Sequence, residues 1–148
     1  MKVLNRKALR DYEVLETVET GMVLTGAETK SVFLKRVNLD AAYVKLMRGE
    51  AYLINADIQK YEFASQEEYD PKRSRKLLLH KKELLKLHVK TAAKGLTLVP
   101  LSCYSQGPYI KLEVAVVRGR RDLEKKNVEK KKELVRNEKR EMKEWLKK

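Results

Sequence analysis

Lys72, Arg73, Arg75, Lys76, Lys81, Lys82, Lys86 and Lys90 stand against a single acid, Glu83, in one short stretch of the chain. The chemistry such a stretch can do is to hold phosphate: lysine as a compact charge, arginine as a two-pronged grip. A second basic region fills residues 118–148, with 14 Lys/Arg against 7 Asp/Glu. It carries more than half of the net charge of +13 on 148 residues. Such an excess points to nucleic acid or an anionic membrane surface and leaves the fold open. Neutralised phosphates release condensed counterions, so binding would weaken steeply as salt rises.

Catalytic and metal chemistry find little support. His80, His88 and Cys103 are the only imidazoles and thiol, too few to close a zinc site without several carboxylates. Neither a G-x-x-x-x-G-K-[ST] nor a G-x-G-x-x-G phosphate cradle occurs. Glu67, Glu68 and Asp70 lie in a polar loop and read as a solvated face, not as an acid–base pair. Cys103 reads as a small buried apolar residue. The expectation is therefore a non-enzyme with no cofactor and no metal. MKVLNRKALRDY at the start lacks the apolar core of a signal peptide, and no run reaches the ~20 apolar residues of a membrane helix. The chain is expected in the cytoplasm, with no membrane partner.

The elements that must position these cations are mostly strands. Tyr12 to Thr20 reads as one, rich in β-branched and aromatic residues; Gly21 reads as a turn and Met22 to Thr25 as a second short strand. A short helix is expected over 28–35, after the break at Gly26, and Asn38 to Asp40 as loop. Ala42 to Met47 and Glu50 to Ile58 read as a hairpin about Arg48-Gly49. Phe63 to Ser74 reads as an exposed loop. Leu77 to Lys94 places apolar residues at 77, 78, 84, 85, 89 and 92, the spacing of one helical face, with Gly95 as its stop. Leu96 to Tyr104 and Tyr109 to Val117 form a second hairpin turning in Ser105-Gln106-Gly107-Pro108. Ile110, Leu112, Val114 and Val116 alternate with Lys111, Glu113 and Ala115, so one face is buried and the other partly wet. The fold class is mainly β with short helices. About six strands suggest a small antiparallel barrel, whose closure removes exposed sheet edges.

The tail differs in kind. It has neither Gly nor Pro after Gly119, and Val128, Val135 and Met142 repeat at heptad spacing beside Leu134, Trp145 and Leu146. So thin an apolar stripe cannot fold onto a core alone, and predicts a segment that is disordered free and helical against a partner. Two units are expected: a barrel over 1–118 and a basic tail over 119–148.

The run YDPKRSRKLLLHKKEL (69–84) followed by KGLTLVPL (94–101) resembles the central signature of the SsrA-binding protein family, also called small protein B. NRKALRDY (5–12), TGAETKS (25–31), NLDAAYV (38–44), INADIQKYE (54–62) and VVRGRRDLEKK (116–126) are similar in order and spacing, so the resemblance spans essentially the entire chain. Departures are Leu9, Ala27 and Thr29 beside Glu28, and Glu124-Lys125-Lys126 in the tail. The resemblance implies a barrel of oligonucleotide-binding type. It implies a partner, transfer-messenger RNA (tmRNA, or SsrA RNA), bound at its tRNA-like domain, and a process, trans-translation, which rescues stalled ribosomes. It also implies elongation factor Tu and alanyl-tRNA synthetase as partners through the shared RNA.

Set beside that resemblance, Arg73, Arg75, Lys76, Lys81 and Lys82 are expected to hold phosphates, and His80 either stacks on a base, bonds a phosphate, or is simply a satisfied histidine at the domain surface. Glu28 is odd on an RNA face. It either accepts from base amino groups, orients Lys30 or Arg6, or serves as a cap or local ion pair near its helix start. Asn5, Lys7, Asn38 and Ser31 complete the expected RNA-binding set. The resemblance implies a ribosomal task for the tail. Gly119, Arg120, Arg121, Lys125 and Lys126 would sit nearest the decoding centre, and Lys130, Lys131, Lys132, Arg136, Lys139, Arg140 and Trp145 along the vacant mRNA channel. The alternatives are a ribosomal or ribosome-assembly protein that binds rRNA, and a general single-strand binder. The latter wants aromatic platforms, and seven Tyr, two Phe and one Trp are spread along the chain without forming a stacking row.

Overall fold

In the computed structural model of the chain, the described residues are 1–65, 68–92 and 95–119. They form β1 (Lys2–Leu4), α1 (Arg6–Asp11), β2 (Tyr12–Met22), α2 (Gly26–Phe33), β3 (Val37–Asn38), β4 (Tyr43–Met47), β5 (Glu50–Ile54), β6 (Asp57–Ile58), β7 (Arg75–Leu78), α3 (Lys81–Thr91), β8 (Leu96–Gln106) and β9 (Tyr109–Gly119). The strands β8, β4, β5, β7, β2 and β9 pair antiparallel in that order, and β9 returns to β8 to close the ring. β1 adds to β8, and β3 and β6 form a separate two-stranded ribbon. The expected mainly β barrel with short helices is what forms.

Two tight turns set the hairpins. Arg48 and Gly49 both take positive φ, at 53° and 73°, the backbone twist that matches a two-residue hairpin. Gly107 at φ 59° precedes Pro108 between β8 and β9, with positive φ at the first central position alone. β8 is long enough to serve three neighbours because it bends. Its register shifts between Pro100 and Ser102, where proline has no N–H to give the ladder.

The barrel interior collects Val32, Leu53, Ile58, Leu77, Leu112 and Val114, each at most 1% exposed. Removing each such side chain from water contributes roughly 1.5–3 kcal/mol. Outside the ring, α1 covers a second cluster of Ala8, Val99, Leu101, Ala115 and Val117. Ala115, expected on the partly wet face of β9, is therefore buried by a helix for which the sequence offered only six residues.

Other differences have local causes. Gly21 lies inside one continuous β2 and makes no turn. It sits opposite Leu78, whose Cδ1 would be 3.3 Å from any Cβ at that position. The expected helix 77–94 divides: Leu77 and Leu78 belong to β7, which fills the gap between β5 and β2, and α3 begins only at Lys81. Lys94 lies outside the described residues. The second hairpin strand ends at Ile54; Asn55 takes positive φ (61°) and redirects the chain, so Asp57 and Ile58 pair with β3 instead. α2 starts at Gly26, two residues earlier than expected. β9 runs through Gly119, which pairs with Tyr12.

Candidate nucleic-acid interface

The expected site residues separate into an interior frame and an exposed set. At the centre of the frame is Glu28. Thr25 caps α2, its hydroxyl accepting from the Glu28 N–H at 3.1 Å while Glu28 Oε1 accepts from the Thr25 N–H at 2.9 Å. This reciprocal capping box satisfies two otherwise orphaned amides. The same carboxylate takes Arg75 Nε on Oε2 at 2.8 Å and Arg73 Nη2 on Oε1 at 2.5 Å. Arg75 Nη2 lies 2.6 Å from Oε2, close enough for charge pairing though not aligned as a further hydrogen bond. Arg75 Nη1 donates to the carbonyls of Ala56 at 2.7 Å and Pro71 at 3.0 Å.

Strand parity explains this burial. In β7, Arg75 and Leu77 point inward while Lys76 and Leu78 point out. Burial of Glu28 would raise its carboxyl pKa, but donation from Arg73, the Thr25 amide and Arg75 outweighs it and holds the group below the usual range.

Four of the expected contact residues are buried in this geometry. Glu28, Arg75, Ser31 and Asn5 are each at most 1% exposed, whereas the expectation places them on the RNA face. Arg75 spends its donors on Glu28 and two carbonyls. Glu28 serves as cap and ion pair, its partners being Arg73 and Arg75 rather than Lys30 or Arg6. Ser31 Oγ finds no hydrogen-bond partner among the described residues. Asn5 caps α1, accepting from the Ala8 N–H at 3.0 Å, and donates to the carbonyls of Leu39 at 3.1 Å and Pro100 at 2.8 Å. It thus ties α1, the loop after β3 and the bulge of β8 together.

Arg6, Lys7, Lys30, Asn38, Arg73, Lys76, His80, Lys81 and Lys82 are exposed. Arg73, Lys76, His80, Lys81 and Lys82 follow one another from the end of the long loop through β7 into the first turn of α3. Lys76 Nζ is 3.7 Å from Glu50, an exposed pair of small energetic weight. His80 precedes α3, its N–H donating to Glu83 at 3.0 Å. Arg6 and Lys7 stand on α1, and Asn38 on the β3–β6 ribbon opposite Asp57. That ribbon links the two groups, because the Ala56 carbonyl beside Asp57 is held by Arg75. Asn38 Oδ1 accepts from the Asp40 N–H at 2.8 Å.

Sequence reading missed one feature. Lys30 Nζ lies 5.3 Å from the centre of the Tyr61 ring, and Tyr61 meets Phe63 edge to face at 5.5 Å. A Tyr-x-Phe spacing in a polar loop was the available signal. Cys103 is fully buried, as expected, and burial pushes its thiol up to about 12. Among the described residues, no three His, Cys, Asp or Glu side chains gather to hold a metal, and no helix is long and apolar enough to cross a membrane. The tail residues Arg120, Arg121, Lys125, Lys126, Lys130, Lys131, Lys132, Arg136, Lys139, Arg140 and Trp145 lie outside the described residues.

The family model for SmpB protein matches residues 2–144. An SsrA-binding protein of Carboxydothermus hydrogenoformans is 45% identical over 122 residues, covering 82% of this chain and 82% of the relative. One from Levilactobacillus brevis is 45% identical over 141 residues, covering 95% of this chain and 90% of the relative. Among solved structures, a chain from "tmRNA-SmpB: a journey to the center of the bacterial ribosome" is similar with a TM-score of 0.68 and 44% identity, covering 80% of this chain and 83% of that one.

Proposed function

This chain belongs to the SmpB family, and on that premise we propose how it acts. It binds tmRNA and serves trans-translation on the ribosome. The observation that carries this reading is the likeness to a chain solved as tmRNA-SmpB, which extends over most of the molecule.

The barrel, residues 1–118, recognises the tRNA-like domain. Arg6, Lys7, Lys30, Arg73, Lys76, Lys81 and Lys82 meet phosphates, and His80 meets a base or phosphate at the start of α3. Structured RNA is recognised largely by shape and by unstacked bases, and a rigid ring of strands holds scattered cations in one fixed array. Asn5, Glu28 and Arg75 act from within: they fix α1, α2 and β7 so that the cations keep their spacing. Arg73 stands between the two sets, one nitrogen on Glu28 and part of its side chain in solvent.

The tail, residues 119–148, performs the ribosomal task. Gly119, Arg120, Arg121, Lys125 and Lys126 lie nearest the decoding centre, and the later cations and Trp145 follow the mRNA channel against rRNA phosphates. A channel filled by message excludes the tail, which makes the tail a sensor of missing message. The chain performs no catalysis. Alanyl-tRNA synthetase and elongation factor Tu act through the shared RNA, in the cytoplasm.

Deletion of residues 119–148 tests the division. It should spare tmRNA binding and abolish rescue of ribosomes stalled on a message without a stop codon; loss of both, or of neither, contradicts it. Comparable affinity for rRNA hairpins would favour the ribosomal-protein alternative instead.

A further inference from the structure

Phe63 is 76% exposed, more than any other large hydrophobic side chain among the described residues. Nothing in the barrel requires it there, yet its position is fixed. The Gln59 N–H donates to the Arg36 carbonyl at 3.0 Å, and the Ala64 N–H to the Tyr61 carbonyl at 3.0 Å. The Tyr69 hydroxyl donates to the Ile58 carbonyl at 2.5 Å. The first bond ties the loop after β6 to Arg36 just past the end of α2, the second closes a turn about Phe63, and the third holds the far side of the loop to β6. The Tyr61 and Phe63 rings meet at 67° with centroids 5.5 Å apart, and Lys30 Nζ stands 5.3 Å from the Tyr61 centroid. Together with Thr25, Gly26 and Ala27 they border an open cavity of about 370 Å³.

We propose that Phe63, Tyr61 and Lys30 form a stacking platform for one unpaired base of the bound RNA. The inference rests on the RNA-binding reading above and names a contact within it. Every base has a π face, and an exposed phenyl ring offers a partner that water does not. The cation beside the rings favours the same occupant. Lys30 adds positive potential at the platform edge, and Arg73 adds more next to Thr25, whose amide shares Glu28 Oε1 with it. A nucleotide brings both an aromatic face and an adjoining phosphate to such a place, whereas an apolar protein side chain would leave Lys30 without a counter-charge. Glu62 and Asp70 on the same loop are exposed and repel phosphate, so the neutral base, not the backbone, occupies the rings.

The test is the affinity of the full-length chain for the tRNA-like domain of tmRNA, measured across a range of salt concentrations for the unaltered protein and for Phe63→Ala, Phe63→Leu, Phe63→Trp and Lys30→Gln. Phe63→Ala should weaken binding about 5- to 100-fold. Phe63→Leu should lose most of the same factor and Phe63→Trp should retain affinity, because an aromatic face and not mere apolarity is needed. The slope of log affinity against log salt should stay unchanged for all three and fall by about 1 for Lys30→Gln. Tight binding by the unaltered chain with no loss in Phe63→Ala overturns the platform alone. Absence of selective binding by the unaltered chain overturns the RNA reading and the platform with it.

Discussion

Arg75 donates from Nε to Oε2 of Glu28 at 2.8 Å across 47 residues of chain, and neither side chain is more than 1% exposed. The pair fastens the start of α2 to β7. Removing Arg75 leaves the buried Glu28 carboxylate with only Arg73 and the Thr25 amide, and removing Glu28 leaves the buried Arg75 charge with carbonyls alone; either costs about 3–5 kcal/mol. Glu28→Gln and Arg75→Met should each lower the urea unfolding midpoint accordingly. A double replacement by apolar residues of similar volume should recover a large part of the loss, because no orphan charge remains. Additive losses in the double variant would contradict this account.

Acid should act through the same carboxyl. Its pKa in the folded chain lies below the ordinary value of 4.5, burial being outweighed by Arg73, the Thr25 amide and Arg75. A depressed folded pKa gives stability that is fully present above the unfolded value and is lost as pH falls through the folded one. Unfolding free energy of the unaltered chain should therefore drop more steeply below about pH 4.5 than that of Glu28→Gln. Parallel profiles for the two proteins would remove Glu28 from the acid response.

The exposed cations should behave differently from the buried one. Lys81→Ala and Lys82→Ala should barely move the unfolding midpoint, weaken RNA binding regardless of sequence, and each reduce the salt slope by about 1. Arg75→Met should instead lower affinity only to the extent that it loosens the fold. Filter binding over a salt series, with unfolding curves on the same proteins, separates the two behaviours.

Lys35 ends α2 in a left-handed conformation at φ 62°. The Arg36 N–H reaches the Ser31 carbonyl and the Lys35 N–H the Val32 carbonyl, both at 2.9 Å, the double bond pattern of a Schellman ending. Glycine adopts this backbone without the Cβ clash, so Lys35→Gly should stabilise the chain by about 0.5–1 kcal/mol in thermal or urea unfolding. An unchanged or lower midpoint would mean that the lysine side chain contributes more than its backbone strain costs.

These relationships show what the sequence could and could not tell. The two hairpins were legible because Arg48-Gly49 and Gly107-Pro108 carry their turn chemistry locally. The inward run Ile110, Leu112, Val114 and Val116 carries its own period. β7 was not legible: Leu77 and Leu78 fit the helical spacing of Leu84 and Leu85 equally well. Only the open edges of β5 and β2, brought together from elsewhere, decide for a strand. β1 has three residues and offers no period at all. In the site, the exposed cations followed from composition, but the burial of Arg75 did not. An arginine reads as surface until the carboxylate that answers it is found, and Glu28 is far away in sequence. The fixed position of Phe63 likewise depends on bonds made by Gln59 and Tyr69 to other elements.

The central claim is that the barrel selects a tRNA-like fold in tmRNA. Its most direct measurement is binding of the full chain, and of a chain ending at residue 118, to the tRNA-like domain, with elongator tRNA and an rRNA hairpin as competitors at two salt concentrations. Tight and selective binding by both chains, weaker at higher salt but still selective, is the predicted result. Equal competition by the rRNA hairpin, or selectivity that disappears when the tail is removed, would contradict the claim.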